Sequence, residues 1–285
     1  MSRLTARLLI SCPDGSGIIA AVAGFVADHS GNILEADQHS DPRHGEFYMR
    51  VEIDCAGFAL AEDSFAEAWA PIAARFDMRW RVYWGDHAKR MAIFVTRESH
   101  CLSDLLWRWR TGELRVQIPL VISNHDELRE IVESCSVPFH HVPISGEGKT
   151  GQETHVLSLL RDANVDFLVL ARYMQVLTPT FVRTYLDRII NIHHSFLPAF
   201  AGPKPYHQAY ERGVKIIGAT SHYVTDDLDQ GPIIAQDTLA VDHRDTVEDL
   251  VRKGRDLERV VLARAVRYHV EDKILVSNNK TVVFK

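Results

Sequence analysis

Short apolar stretches typical of strands alternate with amphipathic stretches typical of helices from residue 90 onward. Strand patterns lie at 91–95, 116–123, 139–143 and 167–171, and helix patterns lie at 101–110, 126–134 and 154–163. Consecutive strands joined by helices run parallel, because each helix returns the chain to the same edge of the sheet. The sequence therefore predicts an α/β domain with a mostly parallel, Rossmann-like sheet and helices on both faces. A long helix at 247–270 and a closing hairpin around Asn278-Asn279 are expected at its end.

The N-terminal residues follow a different order of strands and helices. Strand patterns lie at 8–12, 33–39, 47–53 and 78–84, and helix patterns lie at 18–29 and 63–76. This βαββαβ order predicts a ferredoxin-like domain. Because a chain of 285 residues exceeds the size at which single cores usually divide, we expect two domains. We place the first at 1–84, a linker at 85–89 and the second at 90–285.

The charge balance argues against binding to polyanions. The 32 Lys and Arg residues are outnumbered by 38 Asp and Glu residues, which gives a net charge of −6. No overall basic field attracts nucleic acid or an anionic membrane, so a small-molecule partner is favoured. The Trp-Arg-Trp-Arg run at 107–110 resembles a basic and aromatic nucleic-acid patch, but in an acidic protein we expect a helix end with two packed indoles.

The four cysteines, Cys12, Cys55, Cys101 and Cys135, are far apart in sequence and form no Cys-x-x-Cys motif. This spacing indicates neither a zinc site nor a disulfide framework, so we expect reduced thiols. The N-terminal apolar run is too short for a signal peptide, and no stretch approaches the roughly 20 apolar residues of a membrane span. These features predict a cytoplasmic protein.

A predicted strand at 189–193 ends in polar residues, at the place where open α/β sheets bind their ligands. Because side chains alternate along a strand, Asn191 and His193 share one face, and His194 points to the other. The two histidines are therefore not expected to share a metal ion. An amide and an imidazole on one face suit a carbonyl under attack, because the amide donates to the oxyanion and the imidazole transfers a proton. The alternative is that both side chains only satisfy backbone groups at the strand end.

A tight turn that contains Asp229 and Gly231 lies between two later strand patterns. A carboxylate at Asp229 can orient or activate water and hold the His193 imidazole. The alternative is a structural Asx-turn, which is common for an aspartate ahead of a Gly-Pro pair. Asn191, His193 and Asp229 are therefore the candidate catalytic residues.

Four motifs in this region resemble the formyltransferase family, which includes glycinamide ribonucleotide formyltransferase. They are Asn191-x-His193, Ser195-x-Leu197-Pro198, the segment 218–222 and the segment 228–236. The resemblance implies that Asn191, His193 and Asp229 are catalytic, and that main-chain groups of the loop at 172–179 wrap the pterin of a reduced folate. The substrate-binding candidates are Arg172, Tyr173, Met174, Val176, Leu177, His222 and Gly231. For His222, a structural role and a direct role are equally open.

The sequence of the loop after the first strand of this domain distinguishes two possible activities. Ribonucleotide formyltransferases of the family carry glycines there, and the loop amides hold the substrate phosphate. The segment 96–103 contains no glycine and includes Glu98. The segments 105–114 and 204–210, with the N-terminal domain, are similar to the branch of the family that deformylates 10-formyltetrahydrofolate.

That resemblance implies hydrolysis of 10-formyltetrahydrofolate to formate and tetrahydrofolate. Water would be the acceptor, no cofactor or metal would be needed, and the formate would feed purine synthesis and balance the one-carbon pool. Formyl transfer to a small amine and noncatalytic folate sensing remain the alternatives.

The segment 12–19, followed by Gly31-Asn32-Ile33, resembles the ACT domain, a small regulatory module that commonly binds amino acids. Free amides at a helix N-terminus suit a carboxylate, and Asp14 or Asn32 can meet an amino group. The effector-binding candidates are Asp14, Gly15, Ser16, Gly17 and Asn32. The alternative is a turn that only starts a helix, in a domain that pairs subunits. We expect a homo-oligomer, either a dimer or a tetramer.

Overall fold

The computed structural model describes residues 4–85, 88–144, 148–199 and 205–285. The chain forms two compact units. The first contains the chain up to Ala88 together with Glu271–Ser277 and Val282–Lys285, and the second contains Lys89–Val270 and Asn278–Thr281. The ranges 1–84, 85–89 and 90–285 stay predictions as domain limits. The two units differ from these predicted ranges because parts of the C-terminal segment group with the N-terminal residues.

The N-terminal unit contains a four-stranded antiparallel sheet and two helices. Its elements are β1 (Thr5–Pro13), α1 (Ile18–Asp28), β2 (Asn32–Asp41), β3 (Glu46–Asp54), α2 (Glu62–Arg75) and β4 (Arg79–Trp84). The strand order is β2-β3-β1-β4, and each neighbouring pair is antiparallel. The predicted ferredoxin-like βαββαβ arrangement is confirmed.

Both faces of this sheet carry buried side chains. One face packs against an aromatic core in which the rings of Phe25 and Trp69 meet edge to face, with centroids 4.9 Å apart. The other face carries Arg50, whose side chain is only 2% exposed and whose charge two neighbouring glutamates balance. Arg50 donates hydrogen bonds to the main-chain oxygens of Glu271 and Asp272, at 3.3 and 3.1 Å. These hydrogen bonds are part of the packing that groups Glu271–Ser277 with the N-terminal unit.

The second unit is built around a seven-stranded sheet. Its elements are β5 (Arg90–Val95), α3 (His100–Arg110), β6 (Gln117–Ser123), α4 (Arg129–Glu133), β7 (Phe139–His141), α5 (Gly148–Asp162), β8 (Phe167–Leu170), α6 (Pro179–Thr184), β9 (Ile189–His193), α7 (Pro205–Arg212), β10 (Ile216–Tyr223), β11 (Ile233–Ala240) and α8 (Val247–Val270). The strand order is β11-β10-β9-β8-β5-β6-β7. Strand β10 is antiparallel to both of its neighbours, and the other pairs are parallel. The predicted mostly parallel sheet is confirmed.

The order of the strands reverses between β5 and β8. These two strands are neighbours in the sheet, although the chain forms β6 and β7 between them. Strands β6 and β7 lie on one side of β5, and β8 and β9 lie on the other. A crevice opens at the carboxyl ends of the strands at such a switch point. The loops after β5 and β8, with the end of β9, therefore border the expected ligand site.

Strands β12 (Ile274–Ser277) and β13 (Lys280–Val283) form the predicted closing hairpin. Asn278 and Asn279 have positive φ angles of 49° and 56°, as a tight two-residue hairpin turn requires. Within the described ranges, none of the helices combines the length and the apolar character needed to cross a membrane.

Candidate functional site

Strands β9 and β10 bring an amide and two imidazoles into one buried polar cluster. Asn191 and His193 lie at the end of β9, and the side chain of His193 is nearly buried. The antiparallel register places His222 of β10 directly opposite Asn191. Nδ2 of Asn191 lies 3.2 Å from Nε2 of His222, which is also buried.

The carboxylate of Asp229 reaches this cluster from the turn between β10 and β11. Its Oδ2 lies 3.2 Å from Nδ1 of His193, and its Oδ1 lies 3.6 Å from Nε2 of His222. Asp229 has a positive φ of 56°, a conformation that aspartate adopts more readily than most residues. At Gly231 a Cβ would lie 1.8 Å from the main-chain oxygen of Tyr223, so only glycine lets the turn approach β10 this closely. These backbone requirements hold the carboxylate against the histidines.

Asp229 determines which nitrogen of His193 carries a proton. Burial alone would raise the pKa of Asp229, but hydrogen bonds from His193 and His222 outweigh it and lower that pKa below its ordinary value. An ionised carboxylate only accepts hydrogen bonds, so it favours a proton on Nδ1 of His193. The other ring nitrogen, Nε2, is buried and has no hydrogen-bond partner among the described residues. In the neutral ring it carries the lone pair that is available to a bound molecule.

His222 connects the amide of Asn191 to the carboxylate. Its Nδ1 lies 2.9 Å from the main-chain oxygen of Tyr223, which can only accept, so Nδ1 donates. In the neutral ring, Nε2 accepts a hydrogen bond from Asn191, which leaves the second N–H of that amide to donate elsewhere. In the protonated ring, Nε2 instead forms an ion pair with Asp229, whose Oδ1 lies 3.6 Å away. His222 therefore supports the orientation of Asn191 and Asp229 from one position.

A second buried carboxylate, Glu258 of α8, organises the neighbouring part of the unit. It accepts a hydrogen bond from the Tyr206 hydroxyl at 2.7 Å, and its other oxygen lies 2.8 Å from Nε2 of His100. Nε of Arg172 lies 3.6 Å from the same oxygen. Burial opposes ionisation, but His100 and Arg172 outweigh it and lower the pKa of Glu258. This network joins α3, α7 and α8 to the loop after β8.

His194 belongs to this second network. The centroid of its ring lies 5.8 Å from that of Tyr206 and 5.3 Å from that of His193. Burial and the nearby charge of Arg172 lower the pKa of His194 to about 4. His194 is therefore neutral at physiological pH, and it has different neighbours from His193.

The loop after β8 contains five of the seven predicted substrate-binding residues. Met174 and Val176 are each 60% exposed, which suits apolar side chains that a ligand covers. Tyr173 is buried with its ring 5.3 Å from that of Phe94, and Leu177 packs against the same core. The loop thus exposes two apolar side chains, while two other side chains fix it to the core. The contact of these residues with substrate stays a prediction.

Hydrogen bonds fix the same loop at its middle and its end. The main-chain N–H of Met174 donates to Oγ1 of Thr96 at 2.9 Å, and that of Thr178 donates to Glu153 at 2.9 Å. Burial, with the nearby charge of Glu153, raises the pKa of Tyr173 to about 12. Its phenol therefore stays protonated, and the two hydrogen bonds attach the loop to the end of β5 and to α5.

The sequence-based reasoning missed Thr96, Glu153, Tyr206 and Glu258. One of them carried a usable signal, because Glu258 interrupts the apolar face of α8 next to Leu257 and Val261. A lone carboxylate at a core position of a helix indicates a buried partner. Thr96 had no such signal, since its partner is distant in sequence.

One group of possible metal ligands occurs among the residues that the structure describes. Atoms of His100, Cys101 and Glu258 lie within 4.8 Å of one another. The group does not fit a metal ion, because His100 and Tyr206 already occupy the Glu258 oxygens and Arg172 places a cation 3.6 Å away. Burial raises the pKa of Cys101 well above its ordinary value, so the thiol keeps its proton. That the protein needs no metal stays a prediction.

The predicted effector residues lie around the start of α1. Asp14, Gly15, Ser16, Gly17 and Asn32 are all exposed. Gly17 has a φ of 90° at the N-cap of α1, where no side chain caps the free amides. The binding of an effector there stays a prediction.

Known proteins share both units with this chain. The formyl transferase family profile matches residues 89–266, and the ACT domain profile matches residues 6–57. The formyltetrahydrofolate deformylases of Synechocystis and Bacillus subtilis are each 54% identical to the chain. The first match covers 100% of both proteins, and the second covers 98% of the chain and 93% of the relative.

Solved structures of related proteins show the same similarity. A formyltetrahydrofolate deformylase from Pseudomonas syringae pv. tomato is 51% identical, with a TM-score of 0.97 over 100% of this chain and 96% of its own. Glycinamide ribonucleotide transformylase 1 from Symbiobacterium toebii is 30% identical, with a TM-score of 0.68 over 71% of this chain and 97% of its own.

The fold and the polar cluster thus define a formyl transferase domain joined to an ACT domain. The presence of the ACT domain and the sequence identity to the relatives across the whole length narrow the class of protein further. The chain belongs to the formyltetrahydrofolate deformylase family.

Proposed function

We propose that the protein hydrolyses 10-formyltetrahydrofolate to formate and tetrahydrofolate. The observation that carries the proposal is the different environment of the two ring nitrogens of His193. Asp229 holds its Nδ1, and its Nε2 is buried without a partner among the described residues, in a cluster with Asn191. This arrangement suits proton transfer beside a carbonyl group, and the relatives of this chain carry the name of that reaction.

The reaction proceeds in two steps. A water molecule adds to the formyl carbon and gives a proton to Nε2 of His193, while Asp229 stabilises the imidazolium through Nδ1. The carbonyl oxygen becomes an oxyanion, which accepts a hydrogen bond from the second N–H of Asn191. Donors of this kind contribute roughly 10²–10³ in rate. The bond between the formyl carbon and N10 then breaks, and His193 returns the proton to N10.

With these groups, the atoms and protons of the reaction balance, and the proposed steps use no cofactor or metal. Water supplies the oxygen of formate, and the released proton leaves with formic acid, which ionises in solution. The folate is held by the loop after β8, where Met174 and Val176 cover the pterin and main-chain groups bond to it. Formate released in this way supplies purine synthesis and balances the one-carbon pool.

The test is to incubate the purified protein with 10-formyltetrahydrofolate and no acceptor, and to measure formate and tetrahydrofolate. We expect equal amounts of both, unchanged after dialysis against a chelator. His193→Asn should lose the activity. A protein that releases no formate alone, but formylates an added amine, would be a transferase instead. Folate binding without any turnover would support the noncatalytic sensor.

We also propose that the N-terminal unit binds an amino-acid effector at the start of α1. The effector carboxylate would bind the free amides of Gly15, Ser16 and Gly17, and its amino group would meet Asp14 or Asn32. Calorimetry with a panel of amino acids tests this, and Asp14→Asn should weaken binding of the effector at least tenfold. Equal binding by the variant would remove Asp14 from the site.

We also propose that the protein forms a homo-oligomer and lies in the cytoplasm. The match to the ACT profile supports pairing of subunits as a dimer or a tetramer. The four cysteines are all free thiols, as a reducing compartment favours. Analytical ultracentrifugation gives the first property, and cell fractionation gives the second.

A further inference from the structure

Asp229 lies in the turn at 224–232, which connects β10 to β11 and contains neither helix nor strand. Leu228, the residue before it, is 64% exposed. An ion pair joins Arg183 to Asp226 in the first half of the turn. Because the Arg183 side chain is 72% exposed, this pair contributes little to the rigidity of the turn. The half of the turn that carries Asp229 therefore depends on other contacts to keep the carboxylate in place.

Two side chains from a distant part of the chain bond to the main chain at the end of this turn. They belong to the C-terminal turn, Asn278–Thr281, which lies in the second unit. Nδ2 of Asn279 donates a hydrogen bond to the main-chain oxygen of Gln230 at 2.9 Å. Oγ1 of Thr281 donates one to the main-chain oxygen of Ile233 at 2.5 Å. The formyl transferase profile ends at residue 266, so both donors come from outside the part of the chain that this profile matches.

Both acceptors are next to groups of the polar cluster. Gln230 directly follows Asp229, and Ile233 is the partner of His222 in the ladder between β10 and β11. Oδ2 of Asp229 lies 3.2 Å from Nδ1 of His193. Hydrogen bonds span about 2.7–3.2 Å, so a main-chain shift of about 1 Å would break this contact. A catalytic group misplaced by that distance can cost roughly 10²-fold in rate.

We infer that Asn279 and Thr281 are positioning residues, which hold the main chain beside Asp229 so that its carboxylate stays on Nδ1 of His193. Neither side chain touches the reacting atoms, so both act through Asp229. Their effect on the rate rests on the proposed hydrolysis. Their effect on the position of the His193 proton requires no turnover. If the two hydrogen bonds served only to fix the C-terminal turn, their loss would change neither kcat nor that proton.

The first test measures formate release by the full-length wild type and by Asn279→Gly at several folate concentrations. Position 279 has a φ of 56°, which glycine adopts without strain, and Asn-Gly is a favoured pair in such turns. Asn278→Gly is the matched control, because it makes the same change at the neighbouring position, where φ is 49°. We expect kcat of Asn279→Gly to fall about two- to tenfold, with KM within about twofold, and Asn278→Gly to match the wild type.

Variants of Thr281 test the second contact. Thr281→Val keeps the shape of the side chain and removes the donor, so kcat should fall by a similar factor. Thr281→Ser keeps the hydroxyl and should retain the wild-type kcat. Asn279→Gly combined with Thr281→Val should lower kcat at least about tenfold. An equal loss in Asn278→Gly, a loss confined to KM, or equal rates in Thr281→Ser and Thr281→Val would overturn the inference.

NMR of the isotope-labelled histidine ring nitrogens tests the same contacts without turnover. His193→Gln identifies the signals of His193, and Asp229→Asn shows their positions when the carboxylate is lost. The fraction of neutral rings with the proton on Nε2 should rise at least about twofold in the variant that combines Asn279→Gly with Thr281→Val, and should not change in Asn278→Gly.

The two kinds of failure are distinguishable. An unchanged fraction in the combined variant, or a wild type whose neutral His193 carries its proton on Nε2, would overturn the inference. A wild type that keeps the proton on Nδ1 but releases no formate would overturn the proposed hydrolysis alone.

Discussion

Oδ2 of Asp229 lies 3.2 Å from Nδ1 of His193. This contact directs the proton of the neutral ring to Nδ1 and leaves the lone pair on the buried Nε2. The carboxylate stays ionised because the two neighbouring histidines hold its pKa low despite burial. The contact therefore fixes both the orientation and the tautomer of the proposed base.

Asp229→Asn should lower kcat by roughly 10²–10⁴ and change KM for the folate little. The amide keeps the shape of the side chain, but it no longer favours a proton on Nδ1 or stabilises the imidazolium. Asp227→Asn is the control, because Asp227 is an exposed acid in the same turn, and it should behave like the wild type. Formate release at several folate concentrations separates kcat from KM. A near-normal kcat in Asp229→Asn would remove Asp229 from the mechanism.

The pKa of His194 predicts a loss of stability in mild acid. Burial and the charge of Arg172 lower this pKa from its ordinary value of 6.5 to about 4, so below pH 6.5 the unfolded chain binds a proton that the folded ring does not. Stability is therefore fully present above pH 6.5 and falls as the pH decreases to about 4. The loss from this group is up to about 3 kcal/mol.

Urea unfolding at pH 7 and pH 4.5 measures this effect. His194→Gln cannot titrate and should show a smaller difference between the two pH values than the wild type. His243→Gln, which changes an exposed histidine, should keep the wild-type difference. If both variants respond to pH alike, His194 is not the group that titrates.

Thr96→Val should weaken folate binding without changing the chemistry. The Thr96 hydroxyl accepts a hydrogen bond from the N–H of Met174 and donates one to Asn124, both at 2.9 Å. Valine keeps the volume and leaves the loop amide unpaired, so we expect KM to rise about tenfold and kcat to change less than about threefold. Thr184→Val, on the exposed face of α6, is the matched control. A fall in kcat with constant KM would contradict the assigned role.

The sequence predicted the features that repeat along the chain. Alternation along β9 placed Asn191 and His193 together, and the βαββαβ order predicted the N-terminal sheet. It did not predict contacts between distant residues, such as Thr96 with Met174, because no local period encodes them. The grouping of the C-terminal segment with the N-terminal unit was missed for the same reason, since its contacts include those of Arg50.

Gly254 of α8 makes room for Tyr206, and this contact yields a test of the network around Glu258. A Cβ at Gly254 would lie 2.1 Å from both Cζ and the hydroxyl oxygen of Tyr206, whose hydroxyl donates to Glu258. Gly254→Ala should therefore destabilise the protein by about 1–3 kcal/mol, despite the better helix propensity of alanine, and should slow formate release. Gly24→Ala is the opposite case, because nothing lies within 4 Å of its Cβ position in α1. It should stabilise by about 0.5–1 kcal/mol and leave the rate unchanged. If urea unfolding shows that Gly254→Ala is stabilised as well, Tyr206 moves aside without cost.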